Sequence, residues 1–207
     1  MIRGVVFDLD GTLVDSWRAH AAALRRAAVA AGRPPASAAA LLAAQRATDR
    51  HTVRALTGAE SFAAGWRAYR DGFLTEVATA GAPAADGLHE VVRELRAAGL
   101  VLGVCTGRSR REAARLIAAA GADVPLTVAR EDTRQPKPHP CGLRLALRRL
   151  GLTAAETVYV GDTAADAAQG RAAGVRTVLV GRHGGSAPGV PVLDRLSDLL
   201  DCLEGTE

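Results

Sequence analysis

Two aspartates separated by one residue, Asp8 and Asp10, stand near the start of the chain in VVFDLDGTLVDS. In an extended segment, alternation puts both carboxylates on one side and Leu9 on the other. Carboxylates that close repel each other, and a divalent cation that favours hard oxygen ligands, magnesium above all, offsets the repulsion. Gly11 permits a sharp exit from the strand, and Thr12 brings a hydroxyl near the acids. An isolated Asp-x-Asp is also compatible with a solvated strand end. A second acidic pair, Asp162 and Asp166 in VYVGDTAAD, bears on that choice. Asp162 falls where another strand ends and could complete a metal site. Asp166 lies one helical turn further on and could support such a site from behind, or could simply be a first-turn acid that favours the helix dipole. In VCTGRS, Thr106 and Gly107 offer a hydroxyl and an amide just before a helix, where free N–H groups bind anions. The same pattern also suits an ordinary helix entry.

Lys137 is the only lysine in the chain; the other 25 of the 26 basic side chains are arginine. It sits in TRQPKPHPCG among Pro136, Pro138 and Pro140. The prolines fix their own φ and restrict the residues before them, so the base of the lysine stem is held in a rigid strip. Pro140 is well placed to start a helix in which Leu143, Leu147 and Leu150 form an inner stripe and Gly151 the stop. A compact ammonium can approach a phosphate oxygen and a carboxylate together, where a broad guanidinium would fork elsewhere. The competing account is a solvated loop lysine.

Elements that would position these groups recur along the chain. Short β-rich runs appear in RGVVFDLD, GLVLGVCTG, PLTVAR, TVYVGD and VRTVLVG, with helical patterns between the later ones. The alternation predicts an α/β fold with a Rossmann-like parallel sheet and helices on both faces. Ligands bind such sheets beyond the carboxyl ends of the strands. That directs attention to Asp8 and Asp10, Thr106 and Gly107, Arg130 to Asp132, Asp162 and Gly181.

The alternation fails between the first two strands. Residues 16–81 show helical spacing only, with Trp17, Ala21, Leu24 and Ala28 on one stripe and FAAGWRAYRDGFL on another. The spacing predicts a helical cap domain over 16–81, inserted into a core domain of 1–15 and 82–207. An insert of this length beside a candidate site suggests a lid. Residues 17–80 contain nine arginines against Asp49, Glu60, Asp71 and Glu76, a balance of +5 in a chain whose net charge is +4. The excess fits either solvated helix faces or attraction of an anionic ligand. Interleaved alanines and only seven aromatic residues argue against nucleic acid as a partner. No apolar run approaches a membrane span of about 18 to 20 residues, and MIRGVVFDLDG lacks a signal-peptide plan. Cys105, Cys141 and Cys202 are odd in number and widely spaced, which argues against a disulfide framework or a zinc site. A cytoplasmic protein with reduced thiols, a monomer or homodimer, is expected.

Asp-Leu-Asp-Gly-Thr after a first strand, Thr106 after the second, Lys137 in a proline-rich loop and GDTAAD together resemble the haloacid dehalogenase-like superfamily. The insert is similar to the helical cap of its phosphoglycolate phosphatase and β-phosphoglucomutase branch. The resemblance implies that Asp8 attacks phosphorus to form an aspartyl-phosphate, and that Asp10 protonates the leaving oxygen and then activates water. It implies Mg2+ held by Asp8, the main-chain carbonyl of Asp10 and Asp162, with Thr106, the Gly107 amide and Lys137 on the phosphoryl oxygens. Dehalogenases of the superfamily lack an acid at the position of Asp10, which favours phosphate chemistry. Phosphonoacetaldehyde hydrolases and β-phosphoglucomutases use a cap lysine, and residues 16–81 contain none. Arg50 in TDRHT falls where a cap arginine could clamp a distal phosphate; His20 either faces the site or packs within the helices. The expectation is a magnesium-dependent phosphatase acting on a small phosphorylated metabolite, with phosphoglycolate or a sugar phosphate leading. Pyrophosphate hydrolysis, a β-phosphoglucomutase-like phosphotransfer and a non-catalytic ligand-binding or regulatory protein are the alternatives.

Overall fold

In the computed structural model, residues 1–46, 48–181 and 187–204 are described. The chain divides into two compact units, Met1–Asp15 with Pro83–Glu207, and Ser16–Ala82. The first unit is built on six parallel strands in the order β3-β2-β1-β4-β5-β6. They are β1 (Gly4–Phe7), β2 (Val101–Cys105), β3 (Leu126–Val128), β4 (Thr157–Gly161), β5 (Arg176–Val180) and β6 (Val192–Leu193). Five of them fall on the five apolar runs. The sixth, two residues long, is too short to carry a period in sequence.

Strand order reverses at β1. The chain moves outward from β1 to β3 and then returns across the sheet to β4. Right-handed crossovers therefore place α5 (Leu88–Ala97) and α6 (Arg110–Ala119) on one face, and α7 (Cys141–Leu150) and α8 (Ala164–Ala173) on the other. All four residues of β1 and all five of β4 are buried, as expected of strands covered on both faces. On the α7 face, Val6, Cys105, Val128 and Tyr159 pack with Leu143, Ala146 and Leu147. Leu150 of the expected inner stripe is only partly buried, and Gly151 ends the helix with φ +67°. The C-terminal helix α9 (Leu199–Glu204) closes the unit.

The reversal puts three adjacent strand ends, those of β2, β1 and β4, side by side. Register pairs Phe7 with Val104 on one flank and Val160 on the other, so Asp8, Thr106 and Asp162 emerge from neighbouring strand ends. Gly11, at φ +77°, lets the chain turn straight after β1, with its N–H donating to the Val14 carbonyl at 2.8 Å.

The second unit consists of α1 (Trp17–Ala30), α2 (Ala38–Ala44), α3 (Asp49–Thr57) and α4 (Phe62–Ala80). Along α4, Phe62, Trp66, Tyr69 and Phe73 form a ladder with centroid spacings of 6.2, 5.5 and 6.1 Å. Gly72 lets α1 approach: a Cβ there would sit 2.6 Å from Arg26 Cδ and 3.6 Å from Ala23 Cα. In α1 the buried face is Ala19 to Ala21, Ala23, Leu24, Ala27 and Ala28. Trp17, placed on the apolar stripe by spacing, is 38% exposed. No helix among the described residues is long and apolar enough to cross a membrane.

Candidate active site

Asp8 is the first residue past β1, and its N–H donates to the Val160 carbonyl at 2.7 Å, which fixes its backbone against β4. Its side chain is 10% exposed, and Oδ1 lies 2.5 Å from Lys137 Nζ. The same ammonium reaches Asp166 Oδ1 at 2.7 Å. Lys137 thus bridges two buried carboxylates. Burial opposes its charge, but Asp166 and Asp8 outweigh burial and hold the ammonium well above its ordinary pKa. The ring of Tyr159 lies beneath it, with Nζ 5.7 Å from the centroid.

The loop that carries Lys137 is tied down at several points. The Lys137–Pro138 peptide is cis. Gln169 Nε2, from α8, donates to the His139 carbonyl at 2.9 Å, and the Cys141 thiol approaches the Gln135 carbonyl at 3.3 Å. Pro140 forms the N-terminal cap position of α7.

Asp166 is 1% exposed and its carboxylate is crowded with donors. Oδ1 accepts from Lys137 and from the Tyr159 hydroxyl, both at 2.7 Å. Oδ2 accepts from the Thr163 hydroxyl at 2.6 Å, the Thr163 N–H at 3.1 Å and the Asp162 N–H at 3.3 Å. Burial alone would raise its pKa; Lys137 and these hydrogen bonds reverse the direction and lower it. Asp166 is therefore more than a first-turn acid. It anchors the ammonium and holds the β4–α8 turn, and its lone pairs are already engaged. Gly161 makes this approach possible, because a Cβ there would collide with the Asp166 carboxyl group.

Asp8, Asp162 and Asp166 each place one carboxylate oxygen within 4.8 Å of the others. Burial drives the pKa of Asp8 and of Asp162 upward, and their carboxylate neighbours add to the effect. Three carboxylates face one ammonium, so the ionised cluster lacks two positive charges. Asp162 Oδ1 is buried and has no hydrogen-bond partner among the described residues. A buried acceptor without a donor is costly, and an oxygen-rich cluster short of two charges suits a hard divalent cation. Asp8 and Asp162 fit as direct ligands. The saturated Asp166 fits better as their support.

Asp10 follows a different course. Its carboxylate is absent from the cluster and lies against Arg108, whose Nε is 3.0 Å from each oxygen and whose Nη2 is 2.9 Å from Oδ1. The main-chain carbonyl, the atom expected to serve a metal, is unaffected by that pairing. Arg108 escaped the sequence analysis; one arginine among 25 carries no distinguishing signal, and its partner lies 98 positions away. Tyr159 escaped it too, being indistinguishable from an ordinary core residue of β4.

At the end of β2, the Thr106 N–H donates to the Val128 carbonyl at 3.0 Å, and its hydroxyl oxygen accepts from the Arg108 N–H at 3.1 Å. The hydroxyl hydrogen can then be directed toward an anion. Space beside Gly107 is open, since a Cβ there would meet nothing within 4 Å. Thr12 is buried, with its hydroxyl unpartnered among the described residues.

In the helical unit, His20 is buried, with Nδ1 2.8 Å from the Tyr69 hydroxyl and Nε2 3.3 Å from Gln45 Oε1. These contacts accord with a packing histidine. Arg50 stacks over Phe62, its guanidinium carbon 5.1 Å from the ring centroid.

The family model for haloacid dehalogenase-like hydrolases matches residues 5–180. The chain belongs to the haloacid dehalogenase-like hydrolases. Among curated members, it is 34% identical to a phosphoglycolate phosphatase of Pectobacterium atrosepticum, over 96% of this chain and 91% of that protein. A phosphoglycolate phosphatase of Rhodospirillum rubrum is also 34% identical, over 87% of this chain and 80% of the relative. Among solved structures of the same fold, CbbY of Rhodobacter sphaeroides in complex with phosphate has a TM-score of 0.81 at 23% identity, covering 96% of each chain. A predicted phosphoglycolate phosphatase of Haemophilus somnus has a TM-score of 0.82 at 20% identity, covering 98% of each. The haloacid dehalogenase-like sheet thus accounts for the side-by-side strand ends on which the site is built.

Proposed function

We propose that this chain, a phosphoric monoester hydrolase by its family and relatives, cleaves a small anionic ester of the phosphoglycolate or sugar-phosphate kind through an aspartyl-phosphate on Asp8. The observation that carries this reading is the buried Asp8–Lys137–Asp166 bridge at the carboxyl end of the sheet. Asp8 Oδ attacks phosphorus as the bond to the ester oxygen breaks, and the departing oxygen takes a proton from Asp10. Water then attacks the same phosphorus, Asp10 accepts the proton, and phosphate leaves as Asp8 is regenerated. Lys137 opposes the upward push of burial on the Asp8 pKa and presents positive charge to the phosphoryl oxygens. The Thr106 hydroxyl and Gly107 N–H donate to those oxygens, so that most of the rate enhancement comes from positioning and charge complementarity. Asp8, the Asp10 carbonyl and Asp162 would hold Mg2+, which would supply the two missing charges.

The helical unit, inserted between β1 and α5 and carrying the +5 balance, is proposed as a cap that selects anionic esters, with Arg50 as its candidate contact. A cytoplasmic setting suits the three free cysteines. The decisive measurement is Asp8→Asn assayed with p-nitrophenyl phosphate and Mg2+. Turnover is expected to fall about 10^4-fold or more, with circular dichroism unchanged; a variant with near-native turnover refutes the assignment of the nucleophile.

A further inference from the structure

Arg108 is a buried guanidinium beside the carboxyl end of the sheet. It lies between the end of β2 and the start of α6 and is 6% exposed. Its backbone is pinned on both sides: its N–H donates to Thr106 Oγ1 at 3.1 Å, and its carbonyl accepts from the Arg130 N–H at 2.9 Å. The side chain is therefore projected from a fixed base. It pairs with the more accessible Asp10, whose side chain is 28% exposed against 7% for Arg108. Lys137 differs in this respect, since both of its carboxylates are almost fully buried.

A guanidinium offers a planar fork matched to a carboxylate. Here the fork is filled by the carboxylate that, in the phosphatase reading above, must serve the leaving oxygen. Whatever holds Asp10 lies on the leaving-group side of phosphorus, where the rest of the ester projects. The adjacent space at Gly107 is open. We propose that Arg108 is a specificity residue for a second anionic group on the substrate, a carboxylate one carbon from the ester oxygen, and that Asp10 occupies its fork until such a group arrives. The exchange replaces one carboxylate with another, so the buried guanidinium keeps a counter-charge, and the released Asp10 carboxylate takes a proton from water and turns toward the ester oxygen as its acid. An ester without the second anion leaves Asp10 engaged. Recognition would then raise kcat as well as lower KM, because the interaction assists the reacting state.

This inference rests on the phosphatase reading, and the test separates the two. 2-Phosphoglycolate and ethyl phosphate differ by a carboxylate in place of a methyl group. The wild-type protein with Mg2+ is expected to prefer the first, in kcat and in KM. Arg108→Ala should shrink that preference roughly 10- to 100-fold, with circular dichroism as the control for folding and with turnover of ethyl phosphate kept or raised, because the variant no longer holds Asp10. Arg108→Lys, which keeps the charge and loses the fork, should lose most of the preference too, and it decides the matter if the alanine variant does not fold. Active wild-type protein without a preference, or variants that lose both substrates equally, would overturn the inference and leave the phosphatase intact. Wild-type protein inert toward both esters and toward p-nitrophenyl phosphate overturns the phosphatase reading, and this inference with it.

Discussion

Two aspartates just beyond strand ends of the same sheet have opposite electrostatic fates. Asp132, shortly after β3, accepts hydrogen bonds from Arg110 at 2.7 Å, Arg149 at 2.9 Å and the Ala129 N–H at 2.8 Å. Its arginines are half exposed, and the Arg149 hydrogen bond leads in lowering the Asp132 pKa to about 2. Asp8 shares one buried ammonium with Asp166 and is pushed upward by burial instead. One anion among two solvated cations is complete as it stands. Three buried carboxylates around one cation are short of positive charge, and that deficit distinguishes a cluster suited to a divalent cation from a salt bridge that fastens a turn.

Replacing Lys137 with Met should give the largest break in this contrast. It leaves buried carboxylates uncompensated, so urea unfolding should show a loss of about 3–5 kcal/mol, together with a fall in turnover of about 10^2- to 10^3-fold. A variant that retained both stability and turnover would contradict the bridge. Metal addition comes next. Mg2+ at a hundred times its Kd should stabilise the wild-type fold by about 2.7 kcal/mol, read as a rise in Tm, and chelation should abolish both the rise and the activity. In Asp162→Asn the rise should largely vanish; an undiminished rise would place the cation elsewhere. The smallest effect belongs to Asp132→Asn, with turnover within about twofold of wild type and a stability loss of about 1 kcal/mol, modest because the partners are solvated. Since folding lowers the Asp132 pKa, its contribution is fully present above the ordinary carboxylate value and fades as the pH falls toward about 2. The difference between wild type and variant should therefore be present at pH 7 and shrink in unfolding measurements near pH 2.

What was legible in the sequence followed from local pattern. The five main strands announced themselves because strands buried on both faces read as unbroken Val- and Leu-rich runs. Lys137 stood out by scarcity, and Asp8 and Asp162 by their position at strand ends. What remained hidden depends on contacts between distant segments. Spacing placed Asp166 one turn after Asp162, but nothing local says that Tyr159, Thr163 and Lys137 converge on it. Strand ends drew attention equally to Asp132 and Asp162, and only the solvated arginines from α6 and α7 separate them. Spacing set the Asp10 carboxylate on the same side as that of Asp8, but nothing local says that Arg108 takes it up. Trp17 fell on the right helix but outside its buried face, because α1 is apolar around much of its circumference and alanine blurs the phase.

The solitary lysine has a practical chemical consequence. A chain with one lysine has one ε-amine, so, apart from the amino terminus, an amine-directed reagent has a single address, and that address is the site itself. Clamped between Asp8 and Asp166, the nitrogen is kept protonated and non-nucleophilic. Acylation at that one position thus becomes a gauge of whether the clamp is closed, readable by mass spectrometry without any substrate at all.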